Sequence, residues 1–387
     1  MPMYYRELES KILQLSATFP VISVTGPRQS GKTTLCKMAF PNYGYINLED
    51  AILREQIRSD VKTFLMQYPQ GLIIDEAHYL PEVFSYVQVL VDEDKTRRFV
   101  LSGSSNFLMM QNISQSLAGR AAILRLLPLS MRELGDVSKF NTDELMIRGF
   151  FPSVWGNGSE PADVYRSYYL TYIQRDVMQI INLKDSSAFQ QFITLCAARV
   201  GSEFVAQDLS NEIGVSLPTI QSWMSVLEAS YVVFRLQPFY RNIGKRLTKT
   251  PKIYFNDVGL ACFLLGIRTE EHLRTHPLRG ALFENMVVAE MLKNRFNIGE
   301  ESNLFFYRDK SKREVDIVED FGIQMKAYEV KTAKRYNPEF FKNLDYLREV
   351  VGSDSVVTTQ VIYDGDENRD IAVNGIVNYR KMLTKKD

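Results

Sequence analysis

The sequence has few cysteines and no net charge. Its three cysteines, Cys36, Cys196 and Cys262, are scattered along 387 residues without a C-x-x-C pair. This distribution argues against a disulfide framework or a structural zinc site and favours a reducing compartment. The 46 basic residues balance the 46 acidic ones. No global positive field therefore indicates nucleic acid, and any such site must be local.

Long apolar runs are also missing. No run reaches the length that spans a membrane, and the amphipathic start of the chain, which carries Glu7 and Glu9, does not resemble a signal peptide. We therefore expect a cytoplasmic protein with no membrane partner. The composition, 45% hydrophobic and 24% charged, is typical of globular proteins, and the length predicts two or three domains.

The clearest motif follows an apolar run at residues 21–24 that predicts a buried strand. The next residues, GPRQSGKT from Gly26 to Thr33, fit G-x-x-x-x-G-K-[ST]. In such a loop, backbone N–H groups and a helix N-terminus surround phosphates, Lys32 reaches the β- and γ-phosphates, and the Thr33 hydroxyl binds Mg²⁺. We therefore predict ATP and Mg²⁺ as cofactors; the alternative is a glycine turn in another α/β protein. The predicted nucleotide contacts are Gly26, Pro27, Arg28, Gln29, Ser30, Gly31, Lys32, Thr33, Thr34, Asp75 and Ser104.

Strand and helix signals alternate through residues 1–150. After the phosphate loop, apolar runs predict strands at residues 44–48, 71–75, 97–101 and 120–127, with helical stretches between them. This alternation is typical of a parallel sheet covered by helices on both faces. We therefore expect residues 1–150 to form an α/β domain.

The run LIIDEA is the second chemical signal. Its apolar strand ends in Asp75, and open α/β sheets bind ligands at the carboxyl ends of their strands. Asp75 is expected to hold Mg²⁺ through water, and Glu76 to orient and deprotonate the attacking water. Acidic residues also end strands without any chemical role. Combined with Lys32, however, the pair predicts a nucleotide triphosphatase rather than a simple nucleotide binder.

Two further positions in this domain leave alternatives open. In the polar turn at residues 102–106, Ser104 is a candidate to sense the γ-phosphate or position water, and a helix N-cap is the alternative. Arg120 follows a glycine and is a candidate arginine finger, acting in cis or toward a neighbouring subunit. The alternative for Arg120 is a surface ion pair.

The middle of the chain, residues 151–278, has mainly helical signals. Proline, glycine and asparagine cluster at residues 149–161 and predict a linker. A helix at 164–181 then carries a tyrosine stripe that favours packing over base stacking. Its members are Tyr165, Tyr168, Tyr169 and Tyr172.

A helix-turn-helix pattern follows this helix. A short helix ends at Gly214, and Ser216 caps a second helix with one apolar stripe. The stripe consists of Ile220, Trp223, Met224 and Leu227. The alternating residues after Tyr231 predict a β-hairpin, so the unit is interpreted as a winged helix.

The tip of this hairpin is basic. The candidate DNA contacts are Arg241, Lys245, Arg246 and Lys249, with Lys252 beyond them. One interpretation is phosphate contact with a duplex, and the other is a structural or protein-contact module. The exposed face of the second helix disfavours base reading, because it offers no arginine or lysine for guanine. Its residues are Thr219, Gln221, Ser222 and Ser225.

The last unit, residues 279–387, has the predicted order α-β-β-β-α-β, which resembles restriction-endonuclease-like folds of the PD-(D/E)xK type. That resemblance implies a metal-dependent nuclease site in which Glu284, Asp316 and Glu329 hold one or two Mg²⁺. Lys331 lies on the same strand face as Glu329 and would orient or activate water. A structural Glu–Lys pair in a fold that has lost cleavage is the alternative.

Taken together, the motifs resemble a large prokaryotic family of AAA-type ATPases fused to a C-terminal domain of unknown function. The resemblance is carried by TGPRQSGKTTL, LIIDEAHYLPEVF, LSGSSNFLMMQ and SLAGRAAILRLLPLSMREL, and it continues through GFFPSVW, YIQRDV, FNDVGLACFLLG, GALFENMVVAEML, EVDIVED and YEVKTAK. It implies an AAA-type sheet of five strands, ATP hydrolysis and Arg120 as a finger. It does not supply a cellular role.

Three functions are therefore in competition. The leading interpretation is an ATP-hydrolysing molecular switch with a winged helix and a nuclease-like domain as its output, possible DNA contact and possible homo-oligomerisation. The second is a nuclease whose cleavage of duplex or branched DNA is gated by ATP. The third is a nucleotide-dependent scaffold with an inactive nuclease fold.

Overall fold

A computed structural model of the protein describes residues 4–104, 106–156, 158–177, 186–240, 250–352, 354–371 and 374–385. The helices of the first part are Leu8–Ser16, Lys32–Ala39, Ala51–Ser59, Val61–Met66, Glu82–Glu93 and Asn106–Ser116, with a 3₁₀ turn at Ala77–Tyr79. Across these described ranges, no helix combines the length and the apolar character needed to cross a bilayer.

The first sheet is parallel. Its strands are β1 (Val21–Thr25), β2 (Gly44–Asn47), β3 (Leu72–Asp75), β4 (Phe99–Gly103) and β5 (Ala121–Arg125). Their order is β2-β3-β4-β1-β5, and each neighbouring pair runs in parallel. The predicted parallel α/β sheet is confirmed, including its last strand near residue 120.

Helices cover both faces of this sheet. Along β1, Val21 packs into the cluster formed with the helix Glu82–Glu93, whereas Ile22 and Val24 pack with the helices on the opposite side. Neighbouring side chains of a strand point to opposite faces, so one strand contributes to both cores. All residues of β1, β3 and β4 are buried, as expected for the centre of such a sheet.

The segment after β5 packs tightly. It forms the helices Met131–Leu134, Thr142–Arg148 and Pro152–Gly156, with a 3₁₀ turn at Val137–Lys139. The linker predicted at residues 149–161 is buried over its first half, since Phe150, Phe151 and Val154 are at most 2% exposed. Their apolar side chains outweigh the turn-forming tendency of the neighbouring glycine and proline.

The middle of the chain is helical, as predicted. Its helices are Pro161–Tyr168, Ser186–Ala198, Ala206–Ile213, Leu217–Ala229, Val258–Leu264 and Glu270–Thr275, and a π-helix spans Tyr169–Val177. The sequence predicts a single helix at residues 164–181. In the structure, the α-helix Pro161–Tyr168 continues as this π-helix. Tyr165, Tyr168 and Tyr172 are buried, so the packing role predicted for them is confirmed.

The helix-turn-helix spacing is also present. Gly214 ends the first helix in the left-handed conformation, with φ of 79°, and the Ser216 side chain accepts a hydrogen bond from the Thr219 N–H. The predicted stripe of Ile220, Trp223 and Met224 is buried together with Leu227. The basic tip at residues 241–249 lies outside the described residues.

The second sheet contains eight described strands. They are β6 (Val233–Pro238), β7 (Lys252–Phe255), β8 (Leu304–Arg308), β9 (Glu314–Asp320), β10 (Met325–Lys331), β11 (Val356–Tyr363), β12 (Arg369–Ile371) and β13 (Asn374–Asn378). Their order is β12-β13-β11-β10-β9-β8-β6-β7. The accompanying helices are Arg279–Asn297, Lys342–Val351 and Tyr379–Thr384, with a 3₁₀ turn at Pro338–Phe341. The predicted order α-β-β-β-α-β over residues 279–363 is confirmed.

The hairpin of β6 and β7 joins the C-terminal strands in one sheet. β6 and β7 pair antiparallel, and β6 pairs in parallel with β8 over two residues, Gln237 and Pro238. A single apolar cluster also extends from Leu127 to Leu383. The domain limits 1–150, 151–278 and 279–387 stay predictions. The boundary between residues 278 and 279 separates β6 and β7 from β8, although these strands share one sheet and one core.

Asn285 fastens the long helix Arg279–Asn297 to the hairpin. Its side chain is fully buried. Its Oδ1 accepts a hydrogen bond of 2.7 Å from the Phe255 N–H, and its Nδ2 donates one of 3.0 Å to the Phe255 carbonyl. One amide side chain thus satisfies both backbone groups of a residue in β7, as a neighbouring strand would.

Replacing this amide tests its contribution to stability. We expect Asn285→Ala to lower the free energy of unfolding by about 2–3 kcal/mol, because two buried backbone groups lose their partners. The measurement is a urea titration followed by circular dichroism. Asn211→Ala, at an exposed helical position, is the control and should change the free energy by less than about 0.5 kcal/mol. Equal effects of the two substitutions would contradict this role.

Candidate functional site

The carboxyl ends of β1, β3 and β4 meet at one edge of the first sheet. β4 lies between β1 and β3, so the loops after these three strands converge. The phosphate loop follows β1, Asp75 ends β3, and Ser104 follows β4. This edge is the candidate nucleotide site that the sequence predicts.

The phosphate loop follows a path that requires glycine at its first position. Gly26 has φ of 155°, and a Cβ there would lie 2.1 Å from the Leu126 carbonyl oxygen. Gly31 has φ of 94° and begins the helix Lys32–Ala39. The loop thus runs directly against the end of β5, and its N–H groups precede a helix N-terminus, a geometry suited to binding anions. Thr34, also predicted as a contact, is exposed on the first turn.

Lys32 is buried and points back into the loop. Its side-chain amine donates to the carbonyl oxygens of Gly26 at 3.0 Å and Pro27 at 2.8 Å. Burial lowers the pKa of Lys32, and the nearby carboxylates of Glu76 and Asp75 oppose that shift. The loop carbonyls and the two carboxylates therefore hold a cation where phosphates are expected to bind.

Thr33 and Asp75 lie in direct contact. The Thr33 hydroxyl donates to Asp75 Oδ2 at 2.6 Å, and Ser102 donates to Asp75 Oδ1 at 2.5 Å. A third hydroxyl, from Tyr45, reaches Asp75 Oδ2 at 3.1 Å. Hydroxyl and carboxylate oxygens are the ligands that Mg²⁺ prefers, so Thr33 and Asp75 fit the predicted magnesium site. The sequence does not identify Ser102 or Tyr45 as partners of Asp75.

Glu76 faces the same space from a left-handed backbone position, with φ of 50°. Its Oε2 accepts a hydrogen bond of 3.0 Å from the Ser104 N–H and lies 3.3 Å from His78 Nδ1. Burial raises the pKa of Glu76, and the Lys32 charge opposes the shift. A carboxylate with a raised pKa is well suited to accept a proton from water. Ser104 contacts Glu76, and the neighbouring position 105 lies outside the described residues.

Arg120 lies at the opposite edge of the sheet. It precedes β5, and its carbonyl accepts from the Val21 N–H at the amino end of β1. Its guanidinium forms two hydrogen bonds to Asp92, of 2.8 and 2.7 Å. Five residues of extended strand, about 16 Å, separate it from the phosphate loop of its own chain. A role in cis therefore conflicts with this geometry, and a role toward a neighbouring subunit stays a prediction.

Arg6 contacts the phosphate loop, although the sequence carries no signal for it. Its buried guanidinium donates to the carbonyl oxygens of Ser30 at 2.6 Å and Leu127 at 2.8 Å, and to Glu133 at 2.9 Å. Glu133 in turn belongs to the capping box of a short helix with Ser130. This bridge joins the N-terminal segment, the phosphate loop and the chain after β5.

A second group of charged residues gathers in the C-terminal unit. Asp316 on β9 accepts from the Val330 N–H of β10 at 2.8 Å, and Lys331 lies 3.6 Å from Asp316 and also pairs with Glu329. Burial, reinforced by the Asp316 carboxylate, raises the pKa of Glu284 to about 7 and that of Glu329 to about 8. The four predicted nuclease residues thus lie within one electrostatic cluster.

Lys252 belongs to this cluster and not to an exposed basic surface. It is 2% exposed, and its amine lies 3.1 Å from Glu284 and 2.5 Å from Glu314. Tyr254 also donates to Glu284 at 2.5 Å. Lys252 is therefore not available for the phosphate contact that its position near the wing predicts. Arg241, Lys245, Arg246 and Lys249 lie outside the described residues.

The carboxylates of this cluster are engaged by lysines and by the backbone. Among the residues with described positions, no three acidic, histidine or cysteine side chains are arranged so that they could hold a metal ion. The set Glu284, Asp316 and Glu329, predicted as metal ligands, therefore does not form such a group in this conformation. Lys252 and Lys331 already neutralise part of its charge.

The Arg6 bridge has a measurable consequence for nucleotide affinity. We expect Arg6→Met to weaken ADP binding about tenfold or more, because the loop carbonyl of Ser30 loses a charged hydrogen bond worth roughly 1.5–3 kcal/mol. Isothermal titration calorimetry gives the dissociation constant. Arg58→Met, an exposed arginine on the helix Ala51–Ser59, is the control and should bind ADP like the wild type. Unchanged affinity in a folded Arg6→Met protein would contradict this role.

Comparisons with known protein families divide the chain into three parts. A family described as "AAA domain" matches residues 18–135. A "Domain of unknown function (DUF8612)" matches residues 139–271, and a "Domain of unknown function (DUF4143)" matches residues 279–382. Arg6 lies outside all three matches.

Several relatives match most of this chain, and their names describe them only as uncharacterized proteins. Uncharacterized proteins of Mycobacterium tuberculosis and Mycobacterium bovis are each 28% identical over 330 residues, covering 84% of this chain and 73% of the relative. An uncharacterized protein of Methanocaldococcus jannaschii is 24% identical over 328 residues, covering 76% of this chain and 71% of the relative.

A solved structure, a Walker-type ATPase of Pyrococcus abyssi, covers 67% of this chain and 94% of its own at 12% identity and a TM-score of 0.46. That degree of likeness carries no argument about function.

The winged-helix and nuclease-like interpretations of residues 151–387 stay predictions. The match to residues 18–135 agrees with the sheet order and the phosphate loop, and together they support an AAA-type P-loop ATPase domain in this part of the chain.

Proposed function

We propose that the protein is an ATP-hydrolysing molecular switch. The observation that carries this proposal is the convergence of Lys32, Thr33, Asp75 and Glu76 at one edge of the first sheet, with Thr33 bonded to Asp75 at 2.6 Å. A phosphate loop alone supports nucleotide binding. The largely buried carboxylate of Glu76 beside it, with a side chain 12% exposed, supports hydrolysis, because it can take a proton from water.

Each residue has a distinct role in this proposal. The loop N–H groups and Lys32 bind the phosphates, and Lys32 leaves the carbonyls of Gly26 and Pro27 to do so. Thr33 and Asp75 would hold Mg²⁺, which neutralises phosphate charge. Glu76 orients the attacking water and accepts its proton, and Ser104 holds the Glu76 side chain through its N–H.

Hydrolysis is tested by two substitutions in this set. We expect Lys32→Ala to lose ATP turnover through lost phosphate binding, and Glu76→Gln to bind ATP but hydrolyse it about 10²–10⁴-fold more slowly, the usual range for a general base. Phosphate release with Mg²⁺ is the assay. Glu82→Gln, an exposed glutamate on the next helix, is the control and should match the wild type. Equal rates in all proteins would eliminate the assignment.

A role for Arg120 requires a second copy of the chain. Its position at the amino edge of the sheet, paired with Asp92, would face a neighbouring subunit's nucleotide only in a homo-oligomer. Contact in trans is therefore part of the switch proposal, and an ordinary surface ion pair is the competing explanation.

DNA is the partner that we propose for the middle unit. The support is the helix pair Ala206–Ile213 and Leu217–Ala229, followed by the hairpin of β6 and β7, an order typical of winged helices. Gln221, Ser222 and Ser225 are exposed on the second helix, which favours phosphate contact over guanine reading. ATP turnover with and without duplex DNA, at a stated salt concentration, tests this partner. Faster ATP turnover with duplex DNA would support DNA as the partner. Unchanged turnover would favour a protein partner instead.

A second candidate function is metal-dependent DNA cleavage. The specific support is the cluster formed by Asp316 on β9 and by Glu329 and Lys331 on the neighbouring antiparallel strand β10. Lys331 lies 3.6 Å from Asp316 and pairs with Glu329. Cleavage would require the carboxylates to exchange lysine partners for a metal ion. The scaffold interpretation is its direct competitor, since paired buried charges can be purely structural.

Cleavage is tested with labelled duplex and branched DNA in Mg²⁺ or Mn²⁺. If this cluster is a nuclease site, we expect Asp316→Ala combined with Lys331→Ala to remove all cleavage seen with the wild type. The matched control combines Asp345→Ala with Lys342→Ala, two exposed residues of the helix Lys342–Val351, and should cleave normally. Cleavage that survives in the Asp316 and Lys331 variant would exclude this site.

A further inference from the structure

The start of the phosphate loop is held by a residue from outside the ATPase domain. The hydroxyl of Tyr231 lies 2.7 Å from Thr25 Oγ1, and both groups are buried. Thr25 is the last residue of β1 and immediately precedes Gly26. Tyr231 follows the second helix of the helix-turn-helix, Leu217–Ala229. This hydrogen bond thus joins the residue just beyond that helix to the residue just before the phosphate loop.

The backbone at Tyr231 is in a conformation that favours glycine. Its φ is 56°, and it lies just beyond the helix end at Ser230, with the Val232 N–H donating to the Leu227 carbonyl at 2.9 Å. Glycine is the usual residue at such a position, because a side chain there crowds the backbone. A large side chain is therefore uncommon at this point, and the Thr25 contact is the feature that distinguishes it.

A second tyrosine links the same helix end to a residue within the loop. Tyr172, in the π-helix Tyr169–Val177, donates from its hydroxyl to the Ser230 carbonyl at 3.1 Å. Its ring lies 5.9 Å from the guanidinium of Arg28, the third residue of the loop. Tyr231 therefore contacts Thr25, the residue before the loop, and Ser230 is linked through Tyr172 to Arg28 within the loop. π-Helices are rare and often occur at functional sites.

We propose that Tyr231 is a positioning residue for nucleotide binding, which orients the phosphate loop through Thr25 and thereby couples nucleotide occupancy to the helix Leu217–Ala229. This inference rests on the proposed nucleotide function and extends it to a residue outside the ATPase domain. It names the route by which the two units would affect each other.

The physical reason lies in the geometry of the loop. Its N–H groups bind phosphate only when they point at the oxygens, so a shift of Thr25 also shifts Gly26 and the amides that follow it. The coupling must act in both directions, because a nucleotide that stabilises one loop position also stabilises the helix end that supports that position.

The competing explanation is an ordinary buried tyrosine that only stabilises the fold. Tyr379 supplies a matched control, since it is buried and its hydroxyl lies 3.0 Å from the hydroxyl of another threonine, Thr142. This second pair joins the final helix Tyr379–Thr384 to the helix Thr142–Arg148 and does not touch the phosphate loop. Phenylalanine at either position removes one hydroxyl and keeps the ring.

The first measurement is ADP affinity of the full chain by calorimetry, together with KM and kcat for ATP. We expect Tyr231→Phe to raise the dissociation constant and KM about fivefold, the effect of one ordinary hydrogen bond, with kcat changed less than KM. Tyr379→Phe should stay within about twofold of the wild type. Unchanged affinity in Tyr231→Phe, or equal changes in both variants, would overturn the inference, since a purely structural role predicts no difference between them.

The second measurement is hydrogen–deuterium exchange of peptides from residues 217–240, with and without ADP. We expect ADP to change their exchange in the wild type and in Tyr379→Phe, but not in Tyr231→Phe. A wild type without such a change would overturn the coupling. ADP affinity and deuterium exchange do not require hydrolysis, so a protein that binds ADP without turning over ATP refutes the proposed ATPase function and leaves this inference to be decided by these two measurements.

Discussion

Buried charge must be neutralised within the protein, and this constraint organises both halves of the chain. Removing an isolated charge from water costs several kcal/mol. Buried charged side chains are therefore paired with opposite charges or with hydrogen-bonding groups. At the nucleotide site, Lys32 binds loop carbonyls and Asp75 accepts from three hydroxyls. The same requirement joins Arg6 to Glu133, and Lys293 to Glu290 and the Leu129 carbonyl. These pairs hold segments that are far apart in the sequence.

The nucleotide site is consequently not isolated from the rest of the molecule. Arg6 supports its loop from the N-terminus, and Tyr231 contacts β1 from the middle unit. On the C-terminal side, Glu290 accepts from the Met131 N–H at 2.8 Å, which fastens the segment after β5 to the helix Arg279–Asn297. Packed and hydrogen-bonded contacts thus connect the phosphate loop to the second sheet.

Local patterns in the sequence were sufficient to predict most elements. Apolar runs and glycine positions identified the five parallel strands, and caps such as Ser216 and Gly214 marked helix ends correctly. The π-helix from Tyr169 was not predictable, because its sequence has the same apolar spacing as an ordinary helix. The linker near Phe150 was misjudged for a related reason: turn-forming residues describe the local backbone, whereas burial depends on what packs against it.

The sequence by itself identified the residues of the candidate nucleotide site. Lys32, Thr33, Asp75 and Glu76 follow from motifs whose spacing dictates a strand, a loop and a helix start, and these are local properties. Tertiary structure alone decided that Arg6 contacts the phosphate loop and Tyr231 contacts Thr25, that Arg120 lies at the opposite edge of the sheet, and that Lys252 is buried beside Glu284. Contacts between distant segments depend on how the elements pack, and a pattern of neighbouring residues does not encode which side chain will meet a buried charge.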